Sequence, residues 1–161
     1  MIITLWRLVR SGGHFERCVF VPSIAVQSQP AGELIGELDF VVLVPEPIGS
    51  RDYQLVLGEA RGMNDYGEEE VGKIRRIADR FGQQFVKEHL VLCFSTLKDN
   101  YSDAEKAVLL GLTRDGYEVL PLTRLDLDPY DLFERFEGLP NQYDQTLQQL
   151  AANARALNLA P

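Results

Sequence analysis

Apolar and polar positions recur with two different periods along this chain, and the switch between them separates strands from helices. Residues 18–28 are rich in Val, Phe and Ile and read as a strand, with Pro22 marking a bulge or a sheet edge. After a turn at Gln29-Pro30-Ala31-Gly32, residues 33–44 form a second strand, long enough to bend at Gly36. A loop containing Pro45, Pro47 and Gly49 leads into a third, residues 53–60, so the two read as a β-hairpin. A mobile-looking loop, Gly62–Gly67, follows. Val71, Ile74, Ala78, Phe81 and Phe85 then recur at helical spacing, with Glu68, Glu69 and Glu70 in the first turn and Arg75, Arg76 and Arg80 further along, as the helix dipole favours.

Leu90–Ser95 is a continuous apolar run, the pattern of a strand buried on both faces. Ser102-Asp103-Ala104-Glu105 has the form of a capping box. It opens a helix in which Ala104, Ala107, Val108, Gly111 and Leu112 share a face; Asp115-Gly116 ends it and residues 117–122 form another strand. Strand, helix, strand is the form of a parallel crossover. The expected fold is therefore α/β: a mixed β-sheet with a bent antiparallel front, parallel strands behind, and flanking helices. Asp126–Asp131 looks superficially like a calcium loop, but Asp131 stands where an EF-hand turn needs Gly. Asp128 as N-cap and Pro129 at the first helical position of a short helix to Phe136 explain it better. Gly138-Leu139-Pro140 breaks that helix, dividing the chain into a main domain, 1–137, and a C-terminal segment, 138–161. In that segment Tyr143, Leu147, Leu150, Ala154 and Leu157 mark an amphipathic helix that caps the domain or docks on a protein partner. Residues 2–9 are apolar and fit a short helix or a strand; Gly12-Gly13 breaks the run, and His14 reads as a loop or capping residue.

With 161 residues the chain suits one domain with a sizeable core, and its 45% hydrophobic content is ordinary for a globular protein. No apolar run reaches membrane-spanning length, and Met1–Arg10 lack the pattern of a signal peptide. Cys18 and Cys93 lie in apolar runs and read as buried, reduced thiols of a cytoplasmic protein; no Cys/His spacing suggests zinc. The formal net charge of −8 argues against broad electrostatic attraction to nucleic acid, although acids at a metal site are offset by the ion itself.

The candidate chemistry lies in the hairpin. Alternation puts Glu37, Asp39, Val41 and Leu43 on one face of the second strand, and Leu55, Leu57, Glu59 and Arg61 on one face of the third. With the turn centred near Gly49, Asp39 falls opposite Glu59 and Glu37 opposite Arg61. Two opposed carboxylates at the end of apolar strands are costly unless neutralised. A divalent cation does this, and magnesium accepts one or two carboxylates while keeping several waters. On the next helix Lys73, Arg76, Arg80 and Gln84 lie along one face, either a phosphate-facing stripe beside the metal or a solvated face with internal pairs such as Glu69–Lys73.

An Asp late in one strand followed by Gly58-Glu59-Ala60-Arg61 at the end of the next resembles the motif of the PD-(D/E)XK, or restriction-endonuclease-like, nucleases. The order of elements over roughly residues 18–122 is similar to theirs as well. Asp39 matches the first acid and Glu59 the second; Arg61 stands where the family has Lys. Arg keeps the charge but does not release a proton at working pH. In some members the catalytic Lys lies on the following helix, which makes Lys73 the candidate here. The resemblance implies a restriction-endonuclease-like sheet, Mg²⁺ or Mn²⁺ held by Asp39, Glu59 and the carbonyl of Ala60, catalytic assistance from Arg61 or Lys73, and hydrolysis of nucleic acid, DNA first. Family members usually begin with a helix carrying a Glu toward the site, and this chain has no acid before Glu16. The alternative is a catalytically inactive, nuclease-like binding subunit in which Arg61 pairs with Glu59 and Glu37.

Overall fold

The computed structural model describes residues 4, 18–28, 32–45, 53–82, 89–127 and 147–160. The readings of residues 2–9 other than Thr4, of Gly12-Gly13, His14, Gln84, Phe85, the 128–136 helix, the break at Gly138 and Tyr143 lie outside them. Five strands form one sheet in the order of the chain: β1 (Val19–Gln27), β2 (Leu34–Pro45), β3 (Tyr53–Arg61), β4 (Leu90–Thr96) and β5 (Glu118–Leu122). β1, β2 and β3 pair antiparallel; β3 with β4 and β4 with β5 pair parallel. Helix α1 (Glu68–Phe81) connects β3 to β4, α2 (Asp103–Arg114) connects β4 to β5, and α3 (Arg124–Leu127) and α4 (Leu147–Asn158) follow. This is the mixed α/β sheet flanked by helices that the periodicity predicts.

The sheet separates two apolar layers. Leu55, Leu57, Leu92 and Phe94 face Ile74 and Ile77 of α1 and Leu109 and Leu112 of α2. Phe40, Val42, Val56, Val91 and Leu120 face Leu150, Ala151 and Ala154 of α4. β4, central and parallel, is buried at every position, as its unbroken apolar run requires. Each such side chain contributes about 1.5–3 kcal/mol of hydrophobic stabilisation. The face of α4 that carries Leu147, Leu150 and Ala154 is therefore laid on the sheet, while Leu157, expected on the same face, is exposed. Arg155 at its end reaches Glu118 and the carbonyl of Val119, and Asn158 Nδ2 donates to Pro121 O and Asp126 Oδ2, both at 2.8 Å.

β1 is an edge strand, in keeping with Pro22, and Val19, Phe20 and Val21 are exposed along it. The bend expected at Gly36 appears as a register shift, with Val26 opposite Gly36 but Gln27 opposite Leu34. The α2 face differs from the expected one. Glu105, Leu109 and Leu112 are buried while Ala104 and Ala107 are exposed. The physical reason is a set of partners for Glu105. Its Oε1 accepts from the Tyr66 N–H at 2.9 Å, and its Oε2 from the Ser102 N–H at 2.8 Å and Lys98 Nζ at 2.5 Å. A satisfied buried carboxylate turns the helix further than the small residues would.

Candidate functional site

The β2–β3 ladder runs from Pro45↔Tyr53 to Phe40↔Gly58, the register of a hairpin centred near Gly49. At its last rung the far end of the Phe40 ring reaches over Gly58. A Cβ on Gly58 would stand 2.0–2.5 Å from the ring, so the glycine is required by the close approach. Beyond this rung the Ala60 N–H donates to Asp39 Oδ2 at 2.7 Å, so a side-chain carboxylate serves this backbone donor. Asp39 thus lies at the margin where β2 and β3 part, half-buried, beside Glu59.

Alternation along β2 slips at this residue. Val41 and Leu43 pack on the layer under α1, but so does Leu38, and Gly36 faces Lys73 and Ile77 of α1. Across on β1, Ser23 has φ of +52° and leaves Asp39 without a ladder partner. The expectation that Glu37 shares a face with Asp39 and meets Arg61 is therefore corrected. Glu37 is exposed, and Arg61 turns to α1, its Nη2 3.2 Å from Glu70 Oε1 and its guanidinium 5.7 Å from the centre of the Tyr66 ring.

Glu59 ends the buried row of β3, on the face of Leu55 and Leu57, and is only 4% exposed. Lys73 Nζ lies 2.8 Å from its Oε1. Of the two readings of this face, the internal pair of Lys73 with Glu69 is not what forms: Lys73 pairs with Glu59. No donor is aimed squarely at that buried oxygen, so it has a neighbouring charge but no well-directed hydrogen bond. Burial pushes the Glu59 carboxyl above its ordinary range and the nearby Asp39 charge adds to this, while Lys73 and Arg61 oppose it. Asp39, Glu59 and Lys73 are therefore one electrostatic group, with Arg61 at its edge.

Asp39 and Glu59 offer hard oxygen ligands of the kind a divalent cation takes, and Glu59 Oε1 has the Lys73 ammonium beside it but no well-directed hydrogen bond. Among the described residues no group of three or more His, Cys, Asp and Glu side chains is placed to share an ion, so an ion here would keep several waters.

Sequence reasoning missed the supports behind these residues. The buried Tyr66 hydroxyl lies 3.0 Å from the Glu59 carbonyl and 2.7 Å from that of Ser95, joining β3 to β4 behind the acids. Ser95 Oγ is 2.9 Å from Thr4 Oγ1, which ties Thr4 to the same point. Glu70 holds Arg61 with one oxygen and accepts the Gly67 N–H at 3.1 Å with the other, closing the first turn of α1. The 62–67 loop, expected to be mobile, is anchored: Tyr66 is buried, its N–H is held by Glu105, and Asp65 pairs with Lys98 at 2.7 Å. A polar Ser ending the apolar run of β4, and a Glu three residues into α1, were the available signals. Nothing in the spacing marked Thr4 or Tyr66.

Arg76 and Arg80 are exposed on α1, while Arg75 pairs with Asp115 at 2.8 Å. No helix among the described residues is long and apolar enough to cross a membrane.

No protein-family model matches the chain, and no curated protein sequence matches it. Among solved structures it is similar to the MspJI restriction endonuclease in complex with a 27-mer oligonucleotide, with 14% identity and a TM-score of 0.40. The match covers 94% of this chain but 31% of that one, so this chain spans less than a third of that protein's length. A likeness so distant leaves the site to be judged on its own geometry.

Proposed function

We propose that this chain is a divalent-metal-dependent nuclease domain of PD-(D/E)XK type that hydrolyses phosphodiester bonds of nucleic acid, with DNA the first substrate to test. The observation that carries this reading is the Lys73 ammonium 2.8 Å from the buried Glu59 carboxylate, with Asp39 bonded to the N–H of the next residue, Ala60, and its charge felt at Glu59. Asp39, Glu59 and the Ala60 carbonyl are the residues that would hold Mg²⁺ or Mn²⁺. The ion, when bound, would supply electrophilic assistance at the phosphate and a more acidic water. Asp39 is fixed for its part by the Ala60 N–H, which leaves Oδ1 available. Glu59 must be ionised to serve, and Lys73 favours that form. Lys73 and Arg61 place two positive charges where charge builds on a phosphate under attack. Arg61 stays protonated throughout, so it steadies charge and moves no proton. Arg76 and Arg80 extend the positive face along α1 toward a strand's backbone phosphates.

The test is cleavage of plasmid and single-stranded DNA with Mg²⁺ or Mn²⁺. Activity should be present in the wild type and lost by at least about two orders of magnitude in Asp39→Ala. Equal residual cleavage in that variant and in chelator would mark contamination. One observation favours a second reading, a nuclease-like domain without catalysis: Lys73 already neutralises Glu59 and Glu70 already holds Arg61. A calorimetric titration separates the two, since the inactive form would take up no Mn²⁺ at neutral pH.

A further inference from the structure

Gly36 lies on β2, beneath α1. A Cβ at this position would meet Lys73 Cγ at 2.7 Å and Cδ at 3.2 Å, and Ile77 Cδ1 at 3.1 Å. The Lys73 stem thus rests on bare backbone, in the space any other side chain would fill. Gly36 is not among the positive-φ residues, so what this position needs is room rather than an unusual backbone. From there the ammonium reaches Glu59 on the next strand. The Lys73 side chain remains 26% exposed and that of Glu59 6%, so the lysine has a way back to solvent and the carboxylate has none.

We infer that Gly36 is a positioning residue, bare so that Lys73 can cross β2 and hold its ammonium on Glu59, and that a divalent cation entering the site exchanges against that ammonium. The second half rests on the nuclease reading; the first does not. The argument for exchange is electrostatic. A dipositive ion and an ammonium drawn to one buried carboxylate repel each other. The exposed, jointed lysine is the partner able to withdraw.

Lysine acylation mapped by mass spectrometry tests both halves, with Lys106 as an internal reference. In metal-free protein, Lys73 should be modified several-fold faster in Gly36→Ala and in Glu59→Gln than in the wild type. Unchanged rates in either variant overturn the positioning role. A thermal double-mutant cycle guards against mere misfolding. Gly36→Ala should lower the Tm of the wild type, and lower it less in a Lys73→Ala background, where the stem is gone and only Ile77 stays close; an equal loss in both backgrounds also overturns it. Saturating Mn²⁺ should then speed modification of Lys73 in the wild type, and Lys73→Met should bind Mn²⁺ more tightly by calorimetry. Mn²⁺ uptake without faster labelling, or weaker binding by Lys73→Met, overturns the exchange. Failure of the wild type to bind Mn²⁺ at all defeats the nuclease reading and the exchange with it, while the metal-free rates still decide the role of Gly36.

Discussion

A single absent atom decides the packing next to the two acids. Gly58 has no Cβ, and the Phe40 ring takes the vacant space at the last rung before Asp39 and Glu59. Gly58→Ala would place a methyl inside the ring's envelope. The expected cost is that of overpacking, about 1–3 kcal/mol in urea unfolding. Phe40→Leu in the same chain should recover part of the loss, because it removes the atoms that clash. Additive effects of the two substitutions would show that the loss arises elsewhere. Arg61 makes the same point about charge. Its guanidinium is held by Glu70 and lies near the Tyr66 ring, so the residue that departs from the nuclease motif is fixed by α1 rather than by Glu37.

Between elements, Glu105 is a shared tie. It closes the capping box of α2, holds the N–H of Tyr66 and pairs with Lys98, which also holds Asp65. Burial alone would raise its carboxyl, but Lys98 and the backbone donors of Ser102 and Tyr66 outweigh burial and hold it below the ordinary range. Glu105→Gln should therefore cost about 3 kcal/mol, the order expected on breaking a buried ion pair. It should also speed hydrogen exchange at the Tyr66 amide more than at amides of β4, which a uniform loss of stability would not do. The strands, the start of α1 and the hairpin register were legible in the sequence, because each follows from a period or a turn within a few residues; the end of α1 at Phe81, ahead of the Phe85 counted into it, was not. The Ser102–Glu105 capping box was legible for the same reason. The reach of that Glu to Tyr66 and Lys98 was not. Nor was the choice of Lys73 for Glu59 over Glu69. Such pairings depend on how α1 and α2 are rotated over the sheet, and spacing along one element does not fix that rotation. The slip at Asp39 escaped for a related reason: it needs Ser23 of β1, sixteen positions away, to leave the ladder.

At the scale of the whole molecule, two buried carboxylates, Glu59 and Glu105, pull the pH dependence of stability in opposite directions. Glu59 has a folded value raised above the ordinary 4.5, mainly by burial. Between those two values the folded state binds more protons than the unfolded chain. Stability from Glu59 is thus complete below 4.5 and falls as pH rises through its folded value. Glu105 has a folded value below 4.5. Its contribution is complete above 4.5 and is lost as pH falls through the folded value. In chelator, the difference in unfolding free energy between wild type and Glu59→Gln should therefore change on the neutral side of 4.5, and that between wild type and Glu105→Gln on the acid side. Denaturant melts at stepped pH resolve both, and a Glu59→Gln difference that stays flat above 4.5 would contradict the burial argument. Cation binding needs Glu59 ionised, so it competes with the proton there. Saturating Mn²⁺ should accordingly restore the stability that the wild type loses toward neutral pH and leave the Glu59→Gln curve nearly where it was, a difference that generic salt would not reproduce.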